Sequence, residues 1–117
     1  MIRWVKSDAG RAEAGYVFEN NDCAVRALAL VVGIDYKKAY ETLEALGRES
    51  GRCTSIKLLE VLLELTDSRM TLKQFIETHP VGSYLVWNRR HGIAVKDGVV
   101  YDMGKIDGRF RIIGYGK

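Results

Sequence analysis

At 117 residues, 47% of them hydrophobic, the chain is long enough for one domain with a real core, and its net charge of +3 is too mild to argue for nucleic acid. Two cysteines, Cys23 and Cys53, do not make a disulfide framework, which suits a reducing, cytoplasmic setting. No apolar run approaches the roughly 20 residues of a membrane span, and Met1 to Gly15 holds no apolar signal core.

In chain order, Ile2 to Val5 reads as a short strand with Trp4 as its heaviest side chain, and Ser7 to Gly15 as a loop. Asn20, Asn21 and Asp22 follow, three residues whose side-chain oxygens favour helix N-caps. Gly33 supplies a C-cap. The helix between them is apolar almost all round, with Arg26 as its one charge, and such a helix belongs in a core. Cys23 sits in its first turn, where free N–H groups and the positive end of the helix dipole favour thiolate over thiol. Arg26 reads as one half of a salt bridge to a carboxylate at the helix edge.

Asp35 caps a second helix running to about Leu46, with Tyr36, Ala39, Tyr40, Leu43 and Leu46 on its apolar face. Gly47 to Arg52 is a linker. Thr54 or Ser55 caps a third helix from about Ile56 to Leu65. Thr71 with Gln74 forms a capping box for a short fourth helix, which Pro80 stops at His79. From Val81 the periodicity turns to strand: Ser83 to Trp87, His91 to Val95, Val99 to Met103 and Arg109 to Tyr115. Their short connections predict an antiparallel meander and hence an α+β layout.

Asp97-Gly98 is a strong two-residue hairpin signal. With that turn Lys96 pairs with Val99, and Ile93 lies opposite Asp102. His91 and Asp102 then share a sheet face as diagonal neighbours, within reach of an imidazole–carboxylate hydrogen bond. A thiolate needs such a base, and the base needs such an orienting group. Cys53 reads as structural or incidental, and His79 as a helix-end residue. Cys23, Cys53, His79 and His91 lack the close pairwise spacing of a zinc site, so no metal is expected. Arg89-Arg90 reads as a solvated turn, with the capacity to bind an acidic partner or a substrate carboxylate. The basic residues Arg89, Arg90, Lys105, Arg109, Arg111 and Lys117 lack the interleaved aromatics of a nucleic-acid stacking platform.

The run Asn-Asp-Cys-Ala-Val-Arg-Ala-Leu-Ala (residues 21–29) resembles the cysteine motif of papain-like cysteine peptidases, in particular small phage and bacterial proteins of that superfamily. It is also similar to the cysteine helix of ovarian-tumour-type deubiquitinases and of bacteriocin-processing peptidases. Residues 82–102, Gly-Ser-Tyr-Leu-Val-Trp-Asn-Arg-Arg-His-Gly-Ile-Ala-Val-Lys-Asp-Gly-Val-Val-Tyr-Asp, resemble the matching histidine block. The resemblance implies a single papain-like domain over residues 1–117, N-terminal helices with a buried cysteine helix packed on a C-terminal antiparallel sheet. It implies Cys23 as nucleophile, His91 as base and later acid, and Asp102 as orienter. The family's oxyanion glutamine is missing; Asn21 or Asn20 would supply that amide, beside the backbone N–H of Cys23. The implied activity is hydrolysis of peptide or isopeptide bonds in a peptide or protein substrate through a thioester, with no cofactor and no membrane. The alternative is a non-catalytic binding protein on the same fold, such as a phage product that captures a host factor.

Overall fold

Residues 2–17 and 19–117 are described by a computed structural model. The cysteine helix α1 spans Cys23–Val32 and the next helix α2 spans Tyr36–Ala45. Gly33 ends α1 in the left-handed conformation (φ 81°), and the N–H groups of Gly33 and Ile34 both return to the Ala29 carbonyl. A residue with a Cβ is strained there; glycine is not. Asp35 caps α2 by accepting from the Lys38 N–H. The first turn of α3 (Ile56–Leu62) is capped by Ser55, and the capping box of Thr71 and Gln74 opens α4 (Leu72–Thr78) with both of its hydrogen bonds formed.

Six strands make one mixed sheet: β1 (Arg3–Lys6), β2 (Leu65–Asp67), β3 (Ser83–Trp87), β4 (Gly92–Lys96), β5 (Val99–Asp102) and β6 (Gly114–Gly116). Their spatial order is β1-β5-β4-β3-β6-β2. The hairpin register matches its expectation, with Lys96 opposite Val99 and Ala94 opposite Tyr101. Asp97 and Gly98 both take positive φ (49° and 78°), as the tight hairpin turn requires.

Three expectations are corrected. The third helix stops at Leu62, because Leu63 is extended; Glu64 then exchanges backbone hydrogen bonds with Lys117, starting edge strand β2. The last strand is three residues long, and it lies beside β3 instead of extending the meander past β5. The edge of β5 is taken by β1, which pairs with it in parallel.

Side-chain alternation splits the core between the two sheet faces. Leu85, Trp87 and Ala94 pack with α1, α2 and α3, whereas Tyr84, Val86, Ile93, Val95 and Val100 pack with Leu72 and Phe75 of α4. The buried side of α1 is Ala24, Val25, Ala27, Leu28 and Ala29; its far end is wetter, with Val32 exposed. Small side chains let α1 lie close on β4: a Cβ on Gly92 would sit 4.0 Å from the Ala24 Cα. That crossing sets the first residue of α1 beside the first residue of β4. Among the described residues no helix is long and apolar enough to cross a membrane.

Candidate active site

Cys23 is the first residue of α1 and is partly exposed. Its backbone N–H belongs to the first turn and has no intrahelical acceptor. The Gly92 N–H donates to its sulfur at 3.4 Å. Asp22 occupies the N-cap position but makes no side-chain cap hydrogen bond, which corrects its reading as a cap. Its carboxylate is instead fully engaged elsewhere.

His91 immediately precedes β4 and Asp102 ends β5, so the hairpin register brings them side by side. The His91 Nε2 lies 2.6 Å from Asp102 Oδ2, the short separation of a charge-assisted hydrogen bond. With Nε2 committed there, Nδ1 is the ring nitrogen left free, and His91 and Cys23 line the same cleft. The main chain under His91 is held by Asn88, whose Oδ1 accepts from the N–H groups of both Arg90 and His91 at 2.8 Å. Asn88 also donates its own N–H to the His91 carbonyl at 2.9 Å. The sequence reading missed this clamp, although an Asn opening a short turn is its usual signature.

The other Asp102 oxygen, Oδ1, accepts from Arg26 Nη1 at 2.8 Å. Arg26 thus makes its expected salt bridge, and makes two: its Nε also donates to Asp22 Oδ1 at 3.2 Å. Asp22 further accepts from Arg11 Nη1 (3.2 Å) and from the Tyr36 hydroxyl (2.9 Å). Asp22 and Asp102 are 2% and 5% exposed, so the string Arg11–Asp22–Arg26–Asp102–His91 runs largely out of water. Buried carboxylates are tolerable only when paired and hydrogen-bonded, which both are.

The electrostatics follow from these contacts. Burial pushes the Cys23 thiol up. The neighbouring His91 imidazole and the Gly92 N–H, then the charges of His91 and Arg26, outweigh it and hold the thiol below its ordinary value. The hydrogen bond to Asp102, followed by the neighbouring Cys23 thiol, raises His91 to about 9 against the opposing effect of its burial. For Asp102 burial is again unfavourable to the charge. The hydrogen bond and charge of His91, the Met103 N–H and Arg26 together bring its carboxyl below the usual range. The lowered thiol and the raised imidazole both favour the thiolate–imidazolium form of the pair.

The sulfur opens on a cleft of about 550 Å³. Its walls are apolar at Ile56, Leu59, Leu85, Trp87 and Ile113, and its rim carries Arg89, Arg90 and His91. The Trp87 indole packs closely on β6 because residue 114 is glycine: a Cβ there would fall 2.7 Å from the indole Cε2. Cys53, expected to be incidental, stands on the cleft wall with Cys23. The two asparagines named for an oxyanion role face the 47–52 linker. The Asn21 amide donates to the Gly51 carbonyl at 2.8 Å, and the Asn20 Oδ1 lies against Gly51. His79 stacks on Phe75.

Compared with protein-family models, with curated proteins and with solved structures, the chain matches none.

Proposed function

We propose that the chain is a small papain-like thiol hydrolase acting on an amide or related acyl group, a peptidase or isopeptidase. The observation that carries this reading is the convergence on one cleft of a partly exposed Cys23, at the first turn of α1, and of His91 hydrogen-bonded to the buried Asp102. The papain-like part rests on the order and placement of the parts. A cysteine opens a helix packed on the sheet, and its histidine and carboxylate come from adjacent antiparallel strands.

In this mechanism the Cys23 thiolate attacks the carbonyl carbon, forming a C–S bond and a tetrahedral oxyanion. The Cys23 backbone N–H, free at the helix start, points donor charge at that region. Collapse breaks the C–N bond as the His91 imidazolium gives its proton to the departing amine, leaving a thioester. His91, now neutral, takes a proton from water as the water oxygen attacks the thioester carbon. The C–S bond then breaks, releasing the acid and restoring the thiolate–imidazolium pair. Asp102, fixed by Arg26, keeps the imidazole turned toward sulfur throughout.

The test is acylation by p-nitrophenyl acetate followed by peptide mass mapping. The expected result is a hydroxylamine-sensitive acyl group on Cys23 that turns over, is lost in Cys23→Ala and forms more slowly in His91→Ala. Acylation of Cys53 at an equal rate, or none at Cys23, would reject the hydrolase and favour a binding protein.

A further inference from the structure

Past Arg89 and Ile113 the cleft continues into a second, more polar depression of about 680 Å³, which those two residues share with Asp67, Ser68 and Arg69. Arg69, Arg89 and Arg90 are all exposed, and among the described residues none has a carboxylate within ion-pair distance. Asp67 is the one acidic side chain lining either depression. A fourth guanidinium adjoins them, since Arg111 donates to the Arg69 carbonyl. An apolar wall beside Cys23 and a group of guanidiniums thus form one track, joined at Arg89 and Ile113.

We propose that this track selects an extended, acidic peptide. One apolar side chain of the peptide enters the cleft beside Cys23, and carboxylates a few residues along the same chain meet Arg69 and Arg89. The proposal rests on the hydrolase reading and gives it a substrate class. An extended peptide suits the surface because its side chains can be apolar at one point and acidic a short way on. A nucleic-acid strand would bring phosphates along its whole length and nothing aliphatic for Ile56, Leu59 and Leu85. Complementary charge at a rim adds modest affinity and strong selectivity, both sensitive to salt.

The experiment uses the full chain carrying Cys23→Ala and fluorescence anisotropy with three short peptides. They share a central Leu-Phe pair flanked on both sides by Glu, Gln or Lys. The Glu peptide is expected to bind roughly three- to tenfold tighter than the Gln peptide at low salt, as two exposed ion pairs would give. The Lys peptide should be the weakest. Charge reversal in Arg69→Glu and Arg89→Glu should invert the order, and high salt should level it. Equal binding of the three peptides, or tighter binding of a single-stranded oligonucleotide than of the Glu peptide, overturns the proposal. Iodoacetamide labelling of the wild-type chain separates the two claims. Fast labelling of Cys23 with no charge preference leaves the hydrolase standing and removes the substrate class. Slow labelling with the charge preference intact removes the hydrolase and keeps the acidic-peptide track.

Discussion

Replacing Arg26 by Met leaves two buried carboxylates facing a gap where their shared cation was. Arg26 is 11% exposed and bonds Asp22 at 3.2 Å and Asp102 at 2.8 Å. Removing one partner of a buried pair costs about 3–5 kcal/mol when nothing else compensates. Here part is compensated: Asp22 keeps Arg11 and Tyr36, and Asp102 keeps His91. Met also fills most of the vacated volume, so little cavity cost is added. We therefore expect a loss of about 2–4 kcal/mol at neutral pH, a fall of roughly 10 °C in Tm for a chain of this size. The sign of the pH dependence follows from Asp102, whose folded-state value lies below the ordinary one. Its favourable contribution is present above the unfolded carboxylate value, ~4, and is lost as pH falls through the folded value. The variant has already lost part of that contribution, so the gap between wild type and Arg26→Met should narrow on acidification. Urea unfolding at neutral and acidic pH, with the m-value checked for constancy, measures it. In a double-mutant cycle with Asp102→Asn the coupling should exceed ~1 kcal/mol. A gap under ~1 kcal/mol at neutral pH, or one that does not change with pH, would refute the buried-network argument.

Gly114→Ala should destabilise by about 1–3 kcal/mol, because its Cβ meets the Trp87 indole and the core is already full; thermal melts and tryptophan emission would show it, and Trp87→Phe in the same chain should relieve part of the loss. Asp102→Asn removes the largest contribution raising His91, so its imidazole, followed by NMR, should titrate well below the value of about 9. Because that raised value stabilises the fold fully below the unfolded pKa and is lost as pH rises through 9, the wild-type chain alone should lose stability between neutral and strongly alkaline pH through this group. Thr71→Ala breaks the capping box of α4 and should cost about 1 kcal/mol in chemical unfolding, with no effect on Cys23 alkylation.

Local chemistry was the legible part of the sequence. Caps at Asp35, Ser55 and Thr71, the Gly33 C-cap and the Asp97-Gly98 turn each act over a few residues, and each is found where its residue types place it. The hairpin register carried the proximity of His91 and Asp102 with it. Pairings between distant segments were not legible. Nothing around Arg3–Lys6 says that it will lie parallel to β5, and the strand expected over Arg109 to Tyr115 starts only at Gly114, where Gly114 and Gly116 leave room for Trp87 and Leu65. Asp22 was misread for the same reason. A residue at an N-cap position looks like a cap until Arg11, Arg26 and Tyr36 are seen converging on it. Cys53 reached the cleft wall because Gly51 docks on Glu19 and Asn21, contacts thirty or more residues apart in sequence.

Alkylation of Cys23 by iodoacetamide as a function of pH, with Cys53 as the internal reference, bears on the whole reading of the site. A thiolate held by His91, Gly92 and Arg26 should react well below the ordinary thiol pKa of about 8.5 and faster than Cys53 throughout the neutral range. A Cys23 rate that rises only with an unperturbed thiol, or one no greater than that of Cys53, would contradict it.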